Sequence, residues 1–208
     1  MIDALQIALT KNHKFSSASL DALVSKKGTK ILITMHRREN WGAPMHSAAM
    51  AIKRLSRVHP ECDFLFPVHL NPAVRRVVYP ILGRLKNVHL VEPVDYLDFV
   101  HLMAAAHLII TDSGGVQEEG PSLGKPVLVL REVTERPEAV EYGTAKLVGL
   151  DEAKIVRTVS RLLNDPHAYN AMASAVNPYG DGRAARRTVA LIKNYFGLSR
   201  AAVREFSP

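Results

Sequence analysis

The fold of this chain is constrained most strongly by a regular alternation of short apolar segments with segments of helical periodicity. Six segments of four to six residues predict buried strands: Lys30–Met35, Asp63–Pro67, Val88–Val91, Leu108–Thr111, Pro126–Leu130 and Ala145–Val148. Nine others predict helices: Ile2–Leu9, Leu20–Lys27, Pro44–Val58, Pro72–Leu85, Asp95–Ala106, Val116–Leu123, Glu152–Leu163, His167–Ala175 and Arg183–Phe196. Strands separated by helices require a parallel sheet covered on both faces. We therefore predict one α/β domain with a doubly wound, Rossmann-like parallel sheet, which binds ligands beyond the carboxyl ends of its strands.

Composition excludes several classes of protein. Cys62 is the single cysteine among 208 residues, so neither an internal disulfide nor a cysteine-based zinc site can form. No apolar run approaches the roughly 18–20 residues that cross a bilayer, and no secretory signal follows Met1. The sequence therefore predicts a cytoplasmic protein with no membrane contact, and no motif indicates a metal or another cofactor.

The chain carries a net charge of +7, from 27 Lys and Arg against 20 Asp and Glu. A basic chain can bind nucleic acid, acidic lipid or a small anionic ligand. The cations occur in short pairs such as Arg37-Arg38 and Arg75-Arg76, and aromatic residues do not interleave with them as a base-stacking platform requires. The distribution predicts no nucleic-acid partner and leaves a phosphorylated small ligand open.

The strongest local motif is Thr111-Asp-Ser-Gly-Gly-Val-Gln-Glu-Glu119, which follows a predicted strand and opens a helix. Two glycines let the backbone approach a ligand, and the free N–H groups of a helix N-terminus attract anions. The motif therefore predicts phosphate binding; the alternative is an ordinary turn capped by Asp112 or Ser113. Glu118 and Glu119 are expected in the first helical turn, where they complement the helix dipole or accept hydrogen bonds from sugar hydroxyls.

Polar residues also follow three other predicted strands. His36-Arg-Arg-Glu-Asn-Trp-Gly42 follows the first, where arginine can bind phosphate and histidine can act near neutral pH. His69 has the same placement after the second strand. Arg136, after the strand that ends at Leu130, either reaches a phosphate or pairs with one of three nearby glutamates, and Thr134 is a candidate cap for a helix that includes Pro137.

These motifs, in this order, resemble those of the non-hydrolysing bacterial UDP-N-acetylglucosamine 2-epimerases. The resemblance rests on His36-Arg-Arg-Glu-Asn40 with Gly42, Pro67-Val-His-Leu-Asn-Pro72, Asp112-Ser-Gly-Gly-Val-Gln-Glu-Glu119 with Pro121-Ser-Leu-Gly-Lys-Pro126, Thr134-Glu-Arg-Pro-Glu138 and Asn177-Pro-Tyr-Gly-Asp-Gly182. It runs from Ile2 to about Phe196 and covers only the second half of the family's chain. It implies the C-terminal domain of the glycosyltransferase-B architecture: residues 1–28 as a helical lead-in from a first domain, 29–196 as the UDP-binding domain and 197–208 as a tail.

The resemblance also implies roles for individual residues. Those that would bind UDP are His36, Val94, Phe99, Ser113, Gly114, Gly115, Glu119 and Arg136. Within this set, the serine and glycines would hold the diphosphate, Glu119 the ribose hydroxyls, and Val94 and Phe99 the uracil. His36 and Arg136 would contact the phosphates, and His36 would also lie near the reacting sugar as the catalytic residue of this half. Arg37 and His69 would help to hold a second, regulatory UDP-N-acetylglucosamine.

The implied activity is interconversion of UDP-GlcNAc and UDP-ManNAc for cell-envelope polysaccharide synthesis, by elimination of UDP and its re-addition to the other face of a 2-acetamidoglucal. No cofactor is implied. The implied partners are UDP-GlcNAc or UDP, the first domain in cis or in trans, and a second copy in a homodimer. The family's catalytic acidic residues belong to the first domain, so we expect the chain alone to be inactive. The alternatives are a non-catalytic UDP-sugar-binding module or truncated remnant, and a glycosyltransferase, for which the His36–Asn40 motif is a poor match.

Overall fold

Six parallel strands form one sheet at the centre of the molecule, in a computed structural model that describes residues 1–208. The strands are β1 Lys30–Thr34, β2 Asp63–Pro67, β3 Val88–Val91, β4 Leu108–Thr111, β5 Val127–Val129 and β6 Ala145–Leu147. Their order is β3-β2-β1-β4-β5-β6. From β1 the chain thus adds β2 and β3 toward one edge of the sheet. It then returns to the centre as β4, beside β1, and adds β5 and β6 toward the other edge. The predicted α/β class and doubly wound parallel sheet are confirmed.

Ten α-helices and one short 3-10 turn, Arg38–Asn40, accompany the sheet. The helices are α1 Ile2–Leu9, α2 Ala18–Ser25, α3 Ala43–Val58, α4 Pro72–Leu82, α5 Tyr96–Ala105, α6 Gly114–Ser122, α7 Pro137–Glu141, α8 Glu152–Asn164, α9 Pro166–Ala173 and α10 Ala184–Tyr195. Most bounds lie within two residues of the sequence prediction. The difference with a functional consequence is the start of α6, which lies at Gly114 rather than Val116 and so brings both glycines into the helix.

The core lies in two layers, one on each face of the sheet. All five residues of β1 are buried, with Ile31 and Ile33 in one apolar layer and Leu32 in the other. Helices α3, α4 and α8 pack together over the first layer, while α1, α5 and α6 contact one another over the second. Burial on both faces is the physical reason that these strands are almost continuously apolar.

Helix α6 lies unusually close to the sheet. A Cβ atom added to Gly120 would stand 2.6 Å from Cγ2 of Val127 and 3.2 Å from Cδ1 of Ile109, so this position requires glycine. Close packing of its middle on β4 and β5 fixes the direction in which the N-terminus of α6 points. That N-terminus follows β4 directly and therefore lies at the carboxyl edge of the sheet.

Helices α1 and α10 meet although they lie at opposite ends of the chain. Ile2, Leu5 and Ala8 of α1 are buried against the domain. Asp3 accepts hydrogen bonds from the backbone N–H groups of Ala184 and Ala185 at 3.3 and 2.8 Å, at the start of α10. None of the ten helices combines the length and the apolar composition needed to cross a bilayer.

Candidate functional site

A cleft of about 210 Å³ opens at the carboxyl ends of β1, β2 and β4. Strands β1 and β4 are neighbours, and from them the chain winds in opposite directions, toward β3 on one side and toward β6 on the other. Open α/β sheets bind ligands at the point where the winding reverses in this way. The residues that line the cleft are Thr34, Met35, His36, Pro67, His69, Pro93, Val94, Phe99, Ser113 and Val116. Five of the predicted site residues therefore converge here: His36, His69, Val94, Phe99 and Ser113.

The carboxylate of Asp112 organises the floor of this site. It is fully buried and accepts hydrogen bonds from the backbone N–H groups of His36 at 3.0 Å and Arg37 at 2.9 Å, and from Nδ2 of Asn40 at 3.0 Å. Nδ2 of Asn40 also donates to the carbonyl of Leu130, 3.3 Å away. Asp112 therefore does not cap α6, because its oxygens bind the loop after β1 instead.

His36 is held by the same carboxylate. Its Nδ1 lies 3.2 Å from Oδ1 of Asp112, while the side chain remains 40% exposed beside the cleft. Since Nδ1 is engaged, Nε2 is the ring nitrogen that remains for a ligand. The ring of His69 lies nearly parallel to that of His36, with 6.0 Å between the centroids.

The N-terminus of α6 is not capped by a side chain. Ser113 occupies the N-cap position in an extended conformation, but its hydroxyl makes no capping hydrogen bond, so the alternative of an ordinary capped turn is wrong. The first N–H groups of a helix have no partner within the helix and are therefore available to a ligand. A Cβ atom on Gly114 would lie 3.5 Å from the guanidinium of Arg37, so a cation stands beside this helix start.

The expectation that Glu118 and Glu119 lie in the first turn of the helix is wrong. Because α6 begins at Gly114, both carboxylates lie in its second turn, where the helix dipole acts on them less. Glu118 accepts a hydrogen bond from Nε of Arg136, and Glu119 is buried and accepts one from the hydroxyl of Tyr96 at 2.8 Å. Burial raises the pKa of Glu119, and the hydrogen bond from Tyr96 opposes that increase.

Arg136 is the N-cap residue of α7, a position expected for Thr134. The hydroxyl of Thr134 instead donates to Oε1 of Gln117 and accepts from the N–H of Arg136, because the loop folds back onto α6. The ion-pair partner of Arg136 is Glu118, rather than one of the three glutamates beside it in sequence. The hydrogen bond to Glu118 raises the pKa of Arg136.

A second pocket of about 380 Å³ adjoins the cleft. Its lining residues are His36, Arg37, Arg38, Glu39, Trp41, His69 and Asn71, so the two residues predicted for a regulatory ligand lie together. Arg37 also pairs with Glu135, at 3.1 Å, and more distantly with Glu39, at 3.8 Å. No cluster of three or more histidine, cysteine, aspartate or glutamate side chains is arranged to hold a metal ion.

Sequence reasoning overlooked three contributors to the site. It treated Asp112 as a possible cap, counted Asn40 only as part of a motif, and gave Tyr96 no role. Asp112 left a usable signal, since a carboxylate directly after a fully buried strand must find several donors. Tyr96 left none, because its partner Glu119 lies 23 residues further along the chain, on a different helix.

We predict that Asp112→Asn lowers the free energy of unfolding by about 2–5 kcal/mol, since the amide nitrogen replaces one carboxylate oxygen and turns its hydrogens toward the N–H of His36, while the hydrogen bonds to the other oxygen lose the help of the negative charge. Urea denaturation monitored by circular dichroism measures the change. Asp151→Asn is the matched control: Asp151 is an exposed N-cap that accepts from the N–H of Lys154, and asparagine caps helices equally well. Similar losses in the two variants would contradict the prediction.

Comparisons with known proteins agree with this geometry. The family model described as UDP-N-acetylglucosamine 2-epimerase matches residues 1–193. The UDP-N-acetylglucosamine 2-epimerase of Bacillus subtilis is 47% identical over 206 residues, 99% of this chain and 53% of that protein. The Staphylococcus aureus MnaA–UDP structure superposes with a TM-score of 0.90 at 42% identity, covering 99% of this chain and 55% of the other.

A UDP-GlcNAc 2-epimerase from Neisseria meningitidis, solved bound to UDP-GlcNAc, superposes with a TM-score of 0.84 at 43% identity over 93% of this chain and 53% of that one. Sucrose-phosphate synthase from Thermosynechococcus elongatus, at 19% identity and a TM-score of 0.60, shares the fold alone. The chain spans about half the length of the curated relatives it matches, and corresponds to their C-terminal half.

Proposed function

This chain belongs to the UDP-N-acetylglucosamine 2-epimerase family, and we propose that it is the nucleotide-binding half of such an enzyme. In this proposal it binds UDP-GlcNAc, supports loss of UDP from the sugar and holds UDP while it re-adds to the opposite face. The full enzyme would act in the cytoplasm, as a homodimer, and would need no cofactor. A non-catalytic UDP-sugar-binding module is the second candidate, because both proteins require the same nucleotide site.

The observation that carries the proposal is the uncapped start of α6 at the cleft. The two glycines offer N–H groups, and the absence of side chains at Gly114 and Gly115 allows a diphosphate to approach the backbone; the N–H of Ser113 donates to the hydroxyl of Thr111 at 2.9 Å, so the serine offers its own hydroxyl instead. Elimination of UDP places increasing negative charge on the diphosphate. Fixed N–H dipoles stabilise that charge without reorganisation during the reaction, so this half favours the departure of UDP.

Arg136 and His36 complete the proposed diphosphate site. Arg136 approaches α6 from the loop after β5 and is held there by Glu118, on the same helix as the glycines. His36 has Nε2 left for a ligand at the cleft, since Asp112 holds its other ring nitrogen. A bound diphosphate would thus be contacted from three directions: by the helix N-terminus, by a guanidinium and by an imidazole.

The nucleoside would occupy the side of the cleft formed by the segment after β3. Val94 and Phe99 line the cleft there and provide an apolar border for a uracil ring. Glu119 projects from α6 toward the same segment, which it contacts through Tyr96. We assign to its carboxylate the ribose hydroxyls, because adjacent hydroxyls and a carboxylate form paired hydrogen bonds.

The pocket that contains Arg37 and His69 is the proposed site for a second, regulatory UDP-N-acetylglucosamine. It shares His36 with the cleft, so a ligand in one pocket would contact a residue of the other. The charge of Arg37 is partly compensated by Glu135.

The proposed reaction also needs a base at C2 of the sugar, and the carboxylates of this half are otherwise engaged. Glu118 binds Arg136, and Glu119 binds Tyr96. Glu39 lies 3.8 Å from Arg37 and 3.6 Å from Arg131, on the rim of the site. We therefore assign the base to the first domain of the longer relatives.

Helix α10 provides the proposed docking surface for that domain. Val189, Leu191, Ile192 and Tyr195 are each more than half exposed, and no residue of α10 is buried. An apolar helix face of this kind is typical of an interface. Asp3 holds the start of α10 beside α1, so a domain that precedes α1 in the relatives would lie next to this face.

We predict that the 208-residue chain binds UDP and that Gly115→Asp weakens this binding at least about tenfold, since a carboxylate at the helix start repels phosphate and fills the space it needs. Calorimetry with UDP tests both. Ala153→Asp is the matched control, because Ala153 is exposed at the second position of α8, as Gly115 is at the second position of α6, and it does not line the cleft. A folded sample that binds no UDP, or equal binding by Gly115→Asp, would contradict the proposed site.

We predict that Arg136→Ala weakens binding of UDP about tenfold and leaves binding of uridine unchanged. A charge-assisted hydrogen bond to phosphate contributes about 1.5–3 kcal/mol to binding. Uridine has no phosphate, so it makes no such bond with Arg136 and loses nothing in the variant. Calorimetric titration with both ligands measures the difference. Arg84→Ala, at an exposed arginine outside the ion pairs, is the control. Equal losses for the two ligands would assign Arg136 to a purely structural ion pair with Glu118.

We predict that this chain alone does not convert UDP-GlcNAc to UDP-ManNAc. It lacks a free carboxylate to act as base, and an open cleft would release an unsaturated intermediate into water. NMR of the anomeric and C2 protons during incubation follows the reaction. Sustained product formation would show that the catalytic groups lie within these 208 residues.

Addition of a relative's first domain in trans separates the epimerase half from the binding module. Turnover restored by that domain, and lost again with Ile192→Glu on α10, identifies the epimerase half and its docking surface. UDP binding without turnover in the presence of a docked first domain identifies the module.

A further inference from the structure

Tyr96 connects the two walls of the cleft through a single hydrogen bond. It is the first residue of α5, and its hydroxyl donates to Oε1 of Glu119 on α6 at 2.8 Å. The tyrosine is 44% exposed, whereas Glu119 is only 5% exposed. A partly exposed phenol thus reaches inward to a buried carboxylate of α6.

The segment that carries Tyr96 also carries the apolar wall of the cleft. Val94 lies two residues before Tyr96 and Phe99 three residues after it. Asp95 fixes the start of α5, since its Oδ1 accepts a hydrogen bond from the N–H of Asp98 at 2.8 Å. The contact between Tyr96 and Glu119 therefore links the segment that carries the apolar wall to the carboxylate.

A buried carboxylate binds sugar hydroxyls well only when it is ionised and correctly oriented. Burial raises the pKa of Glu119 and Glu118 raises it further, while the hydrogen bond from Tyr96 and the Met1 ammonium lower it. The pKa of Tyr96 is itself raised, by burial and by Glu119, so the phenol stays protonated and remains a donor at neutral pH. Its hydrogen bond uses one lone pair of Oε1, so Oε2 and the second lone pair of Oε1 remain to accept from the two hydroxyls of a ligand.

We propose that Tyr96 is a positioning residue for ribose recognition, which orients the Glu119 carboxylate so that the chain selects nucleotides with a ribose diol over dideoxy nucleotides. The inference rests on the proposed UDP site and deepens it. The inference adds selectivity for the ribose diol to that site. It assigns this selectivity to Tyr96, a residue that need not touch the ligand. The apolar wall and the ribose acceptor thereby act as one unit, because one hydroxyl links them.

Calorimetry with UDP and with 2′,3′-dideoxy-UDP tests this inference on the wild-type chain, Tyr96→Phe and Glu119→Gln. We expect Tyr96→Phe to weaken UDP binding about tenfold and to leave dideoxy-UDP binding unchanged, because only the diol uses Glu119. Tyr142→Phe is the matched control, since Tyr142 is 43% exposed, like Tyr96, and does not line the cleft. Equal losses for both ligands in Tyr96→Phe would overturn the inference, because they would show a general structural role.

The double variant Tyr96→Phe/Glu119→Gln provides an independent measurement. If Tyr96 acts through Glu119, the selectivity ratio of the double variant equals that of Glu119→Gln alone, whereas additive losses would overturn the inference. If Tyr96→Phe does not fold, Glu119→Gln is the test in its place. Loss of the carboxylate must remove the preference for the ribose diol. A Glu119→Gln variant that still prefers UDP over dideoxy-UDP would overturn the inference.

The pH dependence of UDP binding adds a signature that a structural role would not produce. Removal of the tyrosine hydroxyl raises the pKa of Glu119, so on acidification Tyr96→Phe loses UDP affinity at a higher pH than the wild type does. Coincident pH profiles would overturn the inference. A folded wild type that binds no UDP overturns the proposed function as well, whereas UDP binding without preference for the diol overturns this inference alone.

Discussion

The buried carboxylate of Asp112 joins the two halves of the sheet where the chain reverses its direction of winding. It follows β4, yet its hydrogen bonds run to the loop after β1 and, through Asn40, to the end of β5. A buried charge is costly unless donors surround it. The N–H groups of His36 and Arg37 and the amide of Asn40 supply them, without a lysine or arginine in direct contact. Loops after three neighbouring strands are thereby held in one arrangement, and His36 is placed in the cleft relative to it.

The cationic groups of the site carry their own counter-ions. Arg136 is paired with Glu118, Arg37 with Glu135, and Glu135 also binds Arg131. The hydrogen bond from Arg131 lowers the pKa of Glu135 to about 2, so this carboxylate is ionised throughout the physiological range. Each guanidinium is thus fixed before a ligand arrives, which reduces the ordering cost of binding. In the proposed site, a ligand with two phosphate groups would share these cations with the carboxylates, so selectivity for a diphosphate would depend on fixed geometry as much as on net charge.

The parts of the fold that could be predicted from sequence are those set by local periodicity. Strands β2, β3 and β4 have the bounds that the apolar pattern predicts, because burial on both faces leaves an unbroken apolar run. The start of α6 was misplaced because Gly114 and Gly115 have no side chains from which a helical period can be read. That error also put Glu118 and Glu119 in the wrong turn. The partners of Arg136 and Glu119 depend on how α6 meets α5 and the loop before α7, and no local pattern encodes such a contact.

The arrangement of the site implies a division of labour between the two halves of the longer relatives. In this half, the groups at the cleft are N–H dipoles, an imidazole held by a carboxylate, and paired guanidinium groups, all suited to an anion that gains charge. A base at the sugar must be unprotonated near neutral pH, and an unpaired carboxylate with that role would repel the diphosphate if it lay beside the start of α6. Placing it on a separate domain removes this conflict, because the two charges meet only when the cleft closes around the sugar. In the proposed function, the exposed apolar face of α10, held beside α1 by Asp3, would give the first domain a surface on which to pack.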